Sequence, residues 1–150
     1  LETACNVLDE NPDVFAFHLK LHPGISYCQP RNSTMKLPEF QPIATAHNYG
    51  KCLKYRLGEG TYDWNYPWDL CASLYRCQDV LSCFESLQRS NLKMDNPNLL
   101  EVNGNLMLMS LPHKRPRACA CFAGTALMSV PTVNRVQLEY MTPVFENVKV

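Results

Sequence analysis

Apolar and polar residues alternate from Val14 to Leu21, with Phe15, Phe17, Leu19 and Leu21 on one side and His18 and Lys20 on the other. That is the pattern of a half-buried strand, and Pro23-Gly24 ends it. From there to about Gly60 no period survives Pro30, Pro38 and Pro42, which predicts a long irregular excursion pinned by Cys28 and Cys52. Between Pro67 and about Ser90 the period changes: Leu70, Leu74, Cys77, Leu81 and Phe84 recur three and four apart, predicting an amphipathic helix. Pro67 suits its first turn and Asn65 its cap.

The remainder reads as strand. Leu99-Leu100-Glu101-Val102 and Leu106-Met107-Leu108-Met109 flank Asn103-Gly104, the dipeptide best suited to a tight hairpin turn. Ala118 to Val130 is a third run, with a bend or bulge at Gly124 and a stop at Pro131. Arg135 to Tyr140 is a fourth, alternating with Val136, Leu138 and Tyr140 inward. The expectation is an α+β fold: an antiparallel sheet of about four strands with a helix packed on it, as one domain over residues 1–150.

Composition narrows the function. With 46% hydrophobic and 19% charged residues the chain is a folded globule. Fourteen basic residues cancel fourteen acidic ones, so no long-range field draws it to nucleic acid or an anionic membrane. The apolar stretch from Leu106 to Leu111 falls far short of the roughly 20 residues of a membrane helix.

Eight cysteines, Cys5, Cys28, Cys52, Cys71, Cys77, Cys83, Cys119 and Cys121, form an even, dispersed set that reads as disulfides in an oxidising compartment. No C-x-x-C pair supports the rival zinc site, and His18, His22, His47 and His113 lie near no cysteine pair of finger-like spacing. On a continuous helix Cys71, Cys77 and Cys83 point about 120° apart and rise about 9 Å at each step, so they cannot pair among themselves. Cys119 and Cys121, two apart in a strand, share a face. The economical scheme gives them two of the helix cysteines and leaves the third to the set of Cys5, Cys28 and Cys52. The opening Leu1-Glu2-Thr3-Ala4-Cys5 reads as a processed product whose signal peptide is gone, so the expected location is extracellular. Asn32-Ser33-Thr34 is a candidate glycosylation sequon.

No catalytic constellation stands out. His18 and His22 read as exposed strand and turn histidines. A nuclease would need His18, Glu101, Arg135 and Glu139 to converge, and no motif brings them together. No metal and no cofactor is expected. Two candidate binding features remain. Lys114, Arg115 and Arg117 form a basic loop beside His113, able to dock an acidic partner or simply to keep a sheet edge soluble. Tyr62, Trp64, Tyr66 and Trp68 alternate, and if extended would present four rings on one side as a platform for sugars or proteins. The plainer reading makes them core plugs.

An N-terminal strand, a cysteine-bearing helix, a closing sheet and the late Cys119-Ala120-Cys121 pattern together resemble the LARS (Leptosphaeria avirulence and suppressing) effectors of plant-pathogenic fungi. The resemblance implies a non-enzymatic virulence protein acting as a monomer in the apoplast. It would bind a host plant protein or immune receptor, and whether it enters host cells stays open. The alternatives are a small secreted hydrolase of ribonuclease type and a carbohydrate-binding module.

Overall fold

The alternation at Val14 does form a strand, but the sheet around it is larger and differently wound than the pattern suggested. A computed structural model describes residues 1–44, 52–110 and 118–129. Strand β1 (Val14–His18) lies in a five-stranded sheet with β4 (Phe40–Ile43), β5 (Cys52–Arg56), β6 (Ser73–Tyr75) and β7 (Ala118–Phe122), in the order β4-β5-β7-β1-β6. Strand β7 is antiparallel to β5 and parallel to β1, so the sheet is mixed rather than antiparallel. The fold is α+β, as expected.

Val14 pairs with Ala118 and Ala16 with Cys119, which leaves Phe15 as a bulge. The bulge breaks the alternation read from sequence. Phe17 packs beneath helix α1 (Glu2–Glu10), against Ala4, Val7 and Leu8, whereas Phe15 turns towards Trp68 and Tyr75 on the other face. The spacing of Ala4, Val7 and Leu8 gives α1 its buried stripe, and the Asn11 side chain closes it by donating to the Val7 carbonyl at 2.9 Å. A helix of nine residues does not persist alone; burial on the sheet holds it.

The described parts of the excursion from Pro23 to Gly60 are not irregular. They contain β4, β5 and a small hairpin of β2 (Tyr27–Cys28) with β3 (Ser33–Thr34). Pro42 masked β4 because proline cannot donate to a ladder, yet β4 is an edge strand, where a missing donor is tolerated.

Two further elements depart from expectation. Only α2 (Cys77–Arg89) of the predicted long helix is helical, since Ala72 takes a left-handed φ of 59° and Ser73 to Tyr75 pair with β1. Asn65 accepts from the Gly58 amide at 2.8 Å rather than capping a helix. The predicted hairpin at Asn103-Gly104 is helix α3 (Pro97–Ser110), opened by Asn96, whose side chain accepts from the Leu99 amide at 2.9 Å. Helices α2 and α3 pack together over Trp68, Cys83, Leu87, Met107 and Leu108. The Arg76 guanidinium ties this layer to the rest, donating to the carbonyls of Val14 (2.9 Å), Asn11 (2.8 Å) and Leu8.

All eight cysteines are free thiols, so the expected disulfide staple is absent. Cys119 and Cys121 share a face, but Tyr55 and Trp64 cover it rather than α2, and Cys83 lies in a separate cluster. Burial pushes the Cys119 and Cys121 thiols up to about 12, which keeps them protonated. The predicted strand at Arg135–Tyr140 lies outside the described residues. Among the described residues no helix is long and apolar enough to cross a membrane.

Candidate active site

The segment between Tyr66 and Ala72 carries the densest set of side-chain-to-backbone bonds in the described chain. The Asn105 side chain grips Trp68 from both directions, accepting from its amide at 3.0 Å and donating to its carbonyl at 2.6 Å. The Tyr75 hydroxyl accepts from the Asp69 amide at 2.7 Å and faces the carbonyls of Asp69 (2.8 Å) and Pro67 (3.1 Å). Glu101, on α3, accepts from the Leu70 amide at 2.7 Å, and Asp69 accepts from the Cys71 amide at 2.8 Å. Gly104 allows this approach, because a Cβ there would stand 2.4 Å from Cδ1 of Trp68.

This loop gathers charge. Asp69 is buried and forms an ion pair with Lys20, which continues from β1. Burial alone would lower the Lys20 ammonium, but Asp69, joined by Asp63 and Glu101, outweighs it and holds the pKa above the ordinary lysine value. Burial raises the Asp63 carboxyl, opposed by Lys20 and reinforced by Asp69. Burial is also the chief cause of the raised Glu101 carboxyl, with the charge of Asp69 and a hydrogen bond to it adding to the effect. Ligand atoms of Asp69, Cys71 and Glu101 lie within 4.8 Å of one another, close enough to share a metal ion. The cation already at this group is the protein's own Lys20, which takes one Asp69 oxygen. Three carboxylates around one ammonium, two of them raised, form an acid–base assembly.

His18 lies behind the loop. It is wholly buried, not exposed as the strand pattern implied, and its Nδ1 is 2.8 Å from the Ser73 hydroxyl. Burial is the main reason its pKa is pushed down to about 4 from 6.5, with Lys20 adding to this and Asp69 opposing it. The unfolded chain therefore binds a proton that the native state refuses. Stability from this group is complete above pH 6.5, falls by about 1.4 kcal/mol per pH unit below it and is exhausted near pH 4, about 3 kcal/mol in all. Urea unfolding between pH 7 and pH 4 measures that slope, and His18→Gln should flatten it.

The residues singled out from sequence are scattered. Trp64 and Trp68 are buried, and Tyr62 to Asn65 form a turn of 3-10 helix, so the four rings share no exposed face; Trp64 instead donates its indole N–H to the Ile25 carbonyl at 3.0 Å. The aromatic platform is thereby corrected to a pair of core plugs with Tyr62 exposed and Tyr66 half-buried. Asn32 is exposed, with φ 48°, and accepts from the Tyr27 hydroxyl. Lys114, Arg115, Arg117, His47, His113, Arg135 and Glu139 lie outside the described residues. Glu101 was named only as a nuclease candidate, and Lys20, Asp63 and Asp69 were not gathered at all. They come from separate segments with no common spacing.

No family model matches the chain, and no solved structure matches it. Among curated proteins it is 32% identical over 154 residues to the bifunctional glycosyltransferase pgtA of Dictyostelium discoideum. The alignment takes in 97% of this chain and 20% of that protein, so the chain spans about a fifth of the relative's length. Similarity along nearly the whole chain to a protein named as an enzyme overturns the expectation of a non-enzymatic effector, and with it the virulence role. The free thiols remove the disulfide argument for secretion. Neither finding bears on the LARS resemblance itself.

Proposed function

We propose that this chain forms part of a glycosyltransferase and that the cluster of Asp63, Asp69, Glu101 and Lys20 serves sugar transfer. The observation that carries this reading is the 32% identity along 97% of the chain to a protein named as a glycosyltransferase. The chemistry of the cluster is consistent with it. In glycosyl transfer the bond between the anomeric carbon of an activated donor and its leaving group breaks, and a new bond to an acceptor oxygen forms. The acceptor hydroxyl proton must go to a base. Glu101 is half-buried, its carboxyl is raised, and it stays fixed by the Leu70 amide, the attributes of a base tuned towards neutral pH. Lys20 and the loop amides hold Asp69 in place beside it.

The test is direct. The purified chain is incubated with a panel of radiolabelled nucleotide sugars and mixed hydroxyl acceptors, and labelled product is counted; donor binding is followed in parallel by amide chemical-shift changes. Transfer, or donor-induced shifts centred on residues 66–72 and Glu101, is expected. A chain that neither transfers any sugar nor responds to any donor refutes the reading.

A further inference from the structure

Consecutive amides of the loop donate to side-chain oxygens. The Trp68 N–H goes to Asn105 Oδ1 at 3.0 Å, that of Asp69 to the Tyr75 hydroxyl at 2.7 Å, that of Leu70 to Glu101 at 2.7 Å and that of Cys71 to Asp69 at 2.8 Å. Two of these acceptors are cluster carboxylates, and the Tyr75 hydroxyl bonds to Asp69 and Pro67 within the segment. Asn105 differs, because it bridges two elements. Besides holding the Trp68 amide, its Nδ2 donates to the Trp68 carbonyl at 2.6 Å and to the Glu101 carbonyl, one turn back on α3, at 2.9 Å. The residue is 7% exposed. Its oxygen faces an N–H and its nitrogen faces two carbonyls, so the side-chain amide sits only one way round; turned over, it would set donor against donor and acceptor against acceptor. Aspartate, which has no donor, cannot make the three bonds.

We infer that Asn105 is a positioning residue for sugar transfer: its planar amide ties the Trp68 backbone to the turn of α3 that bears Glu101, and so fixes the proposed base against the Asp69 loop. The loop is then joined to α3 at two points, Trp68 at Asn105 and the Leu70 amide at the Glu101 carboxylate. The Leu70 bond by itself would let the loop pivot about the end of a long side chain. With Asn105 in place both the distance and the angle are set, and a misplacement of about 1 Å at a reacting group can cost about a hundredfold in rate. The catalytic part of this inference rests on the glycosyl-transfer reading. The ties themselves do not, and they are measured without substrate.

In isotopically labelled wild type, both side-chain amide protons of Asn105 should exchange with solvent about tenfold or more slowly than those of the exposed Asn96, the change expected from one buried hydrogen bond each. The Leu70 amide resonance should move as Glu101 ionises, since its bond strengthens when the acceptor becomes charged. Asn105→Asp keeps the shape and an acceptor for the Trp68 amide but loses both donors, and Asn105→Ala loses all three bonds. Both variants should abolish the Leu70 response while the amides paired between β5 and β7 keep their protection. With a donor that the wild type uses, kcat should fall about tenfold or more and donor KM should stay within about twofold. Fast exchange of both Asn105 protons in the wild type overturns the inference whether or not any variant folds. So do variants in which the Leu70 amide still follows Glu101, in which protection falls equally throughout the sheet, or in which KM rises at unchanged kcat. Inactivity of the wild type towards every sugar donor would refute the proposed function, while exchange and the Leu70 response would still decide whether Asn105 holds Glu101 to the loop.

Discussion

Glu101→Gln is expected to slow sugar transfer by about a hundredfold or more, the range lost when a general base is removed. The substitution is conservative in every other respect. Glutamine keeps the length of the side chain and retains a carbonyl oxygen to accept from the Leu70 amide, so the loop stays clamped. It cannot take up a proton. Burial first, and then Asp69, raises the carboxyl of Glu101, so wild-type kcat/KM should rise with pH as Glu101 loses its proton, and the variant should lack that limb. Donor affinity should change little. A Gln variant as fast as the wild type, with the same rise, would remove Glu101 from the chemistry and return the question to Asp63 and Asp69.

The second large effect is on stability. Gly104→Val should cost about 3 kcal/mol, at the upper end of overpacking a core, and Gly104→Ala should also destabilise. The sign for alanine is the informative part. In an exposed helix interior, alanine gains about 1 kcal/mol over glycine. At position 104 its Cβ would meet Cδ1 of Trp68 at 2.4 Å and Nε1 at 2.7 Å. The indole cannot retreat, because Trp68 is 1% exposed and held at both backbone groups by Asn105. Any shift of α3 also moves Glu101, so the alanine variant should impair transfer as well as lower the midpoint of urea unfolding. An alanine variant more stable than the wild type would mean that the helix and the loop are not in tight contact.

Residues 103–105 show why local preference misleads here. Asn103-Gly104-Asn105 reads as a turn because its local preferences are those of a turn. The helix forms against that preference, since Asn105 satisfies the backbone of Trp68 and Gly104 admits its ring. Trp68 lies far off in the chain, so the compensation is invisible locally. Asn96 followed by Pro97 is a local helix-start signal, a cap and a first-turn proline, that the hairpin expectation leaves unused. In the same way Leu70 and Leu74 fell at helical spacing by chance. Leu74 lies on an edge strand, and Leu70 is 40% exposed in the loop.

By itself the order of residues determined the existence of β1, the shared face of Cys119 and Cys121, the α+β class and the lack of net charge, since each follows from a local period or a simple count. Tertiary structure decided the rest. The pairing of β7 between β1 and β5, the bulge at Phe15 and the meeting of Lys20, Asp63, Asp69 and Glu101 all join segments with no common period. Burial then changed the chemistry of the cluster and of the histidine behind it, lowering His18 and raising Glu101, because desolvation and charge proximity are properties of three-dimensional neighbourhood and not of sequence spacing.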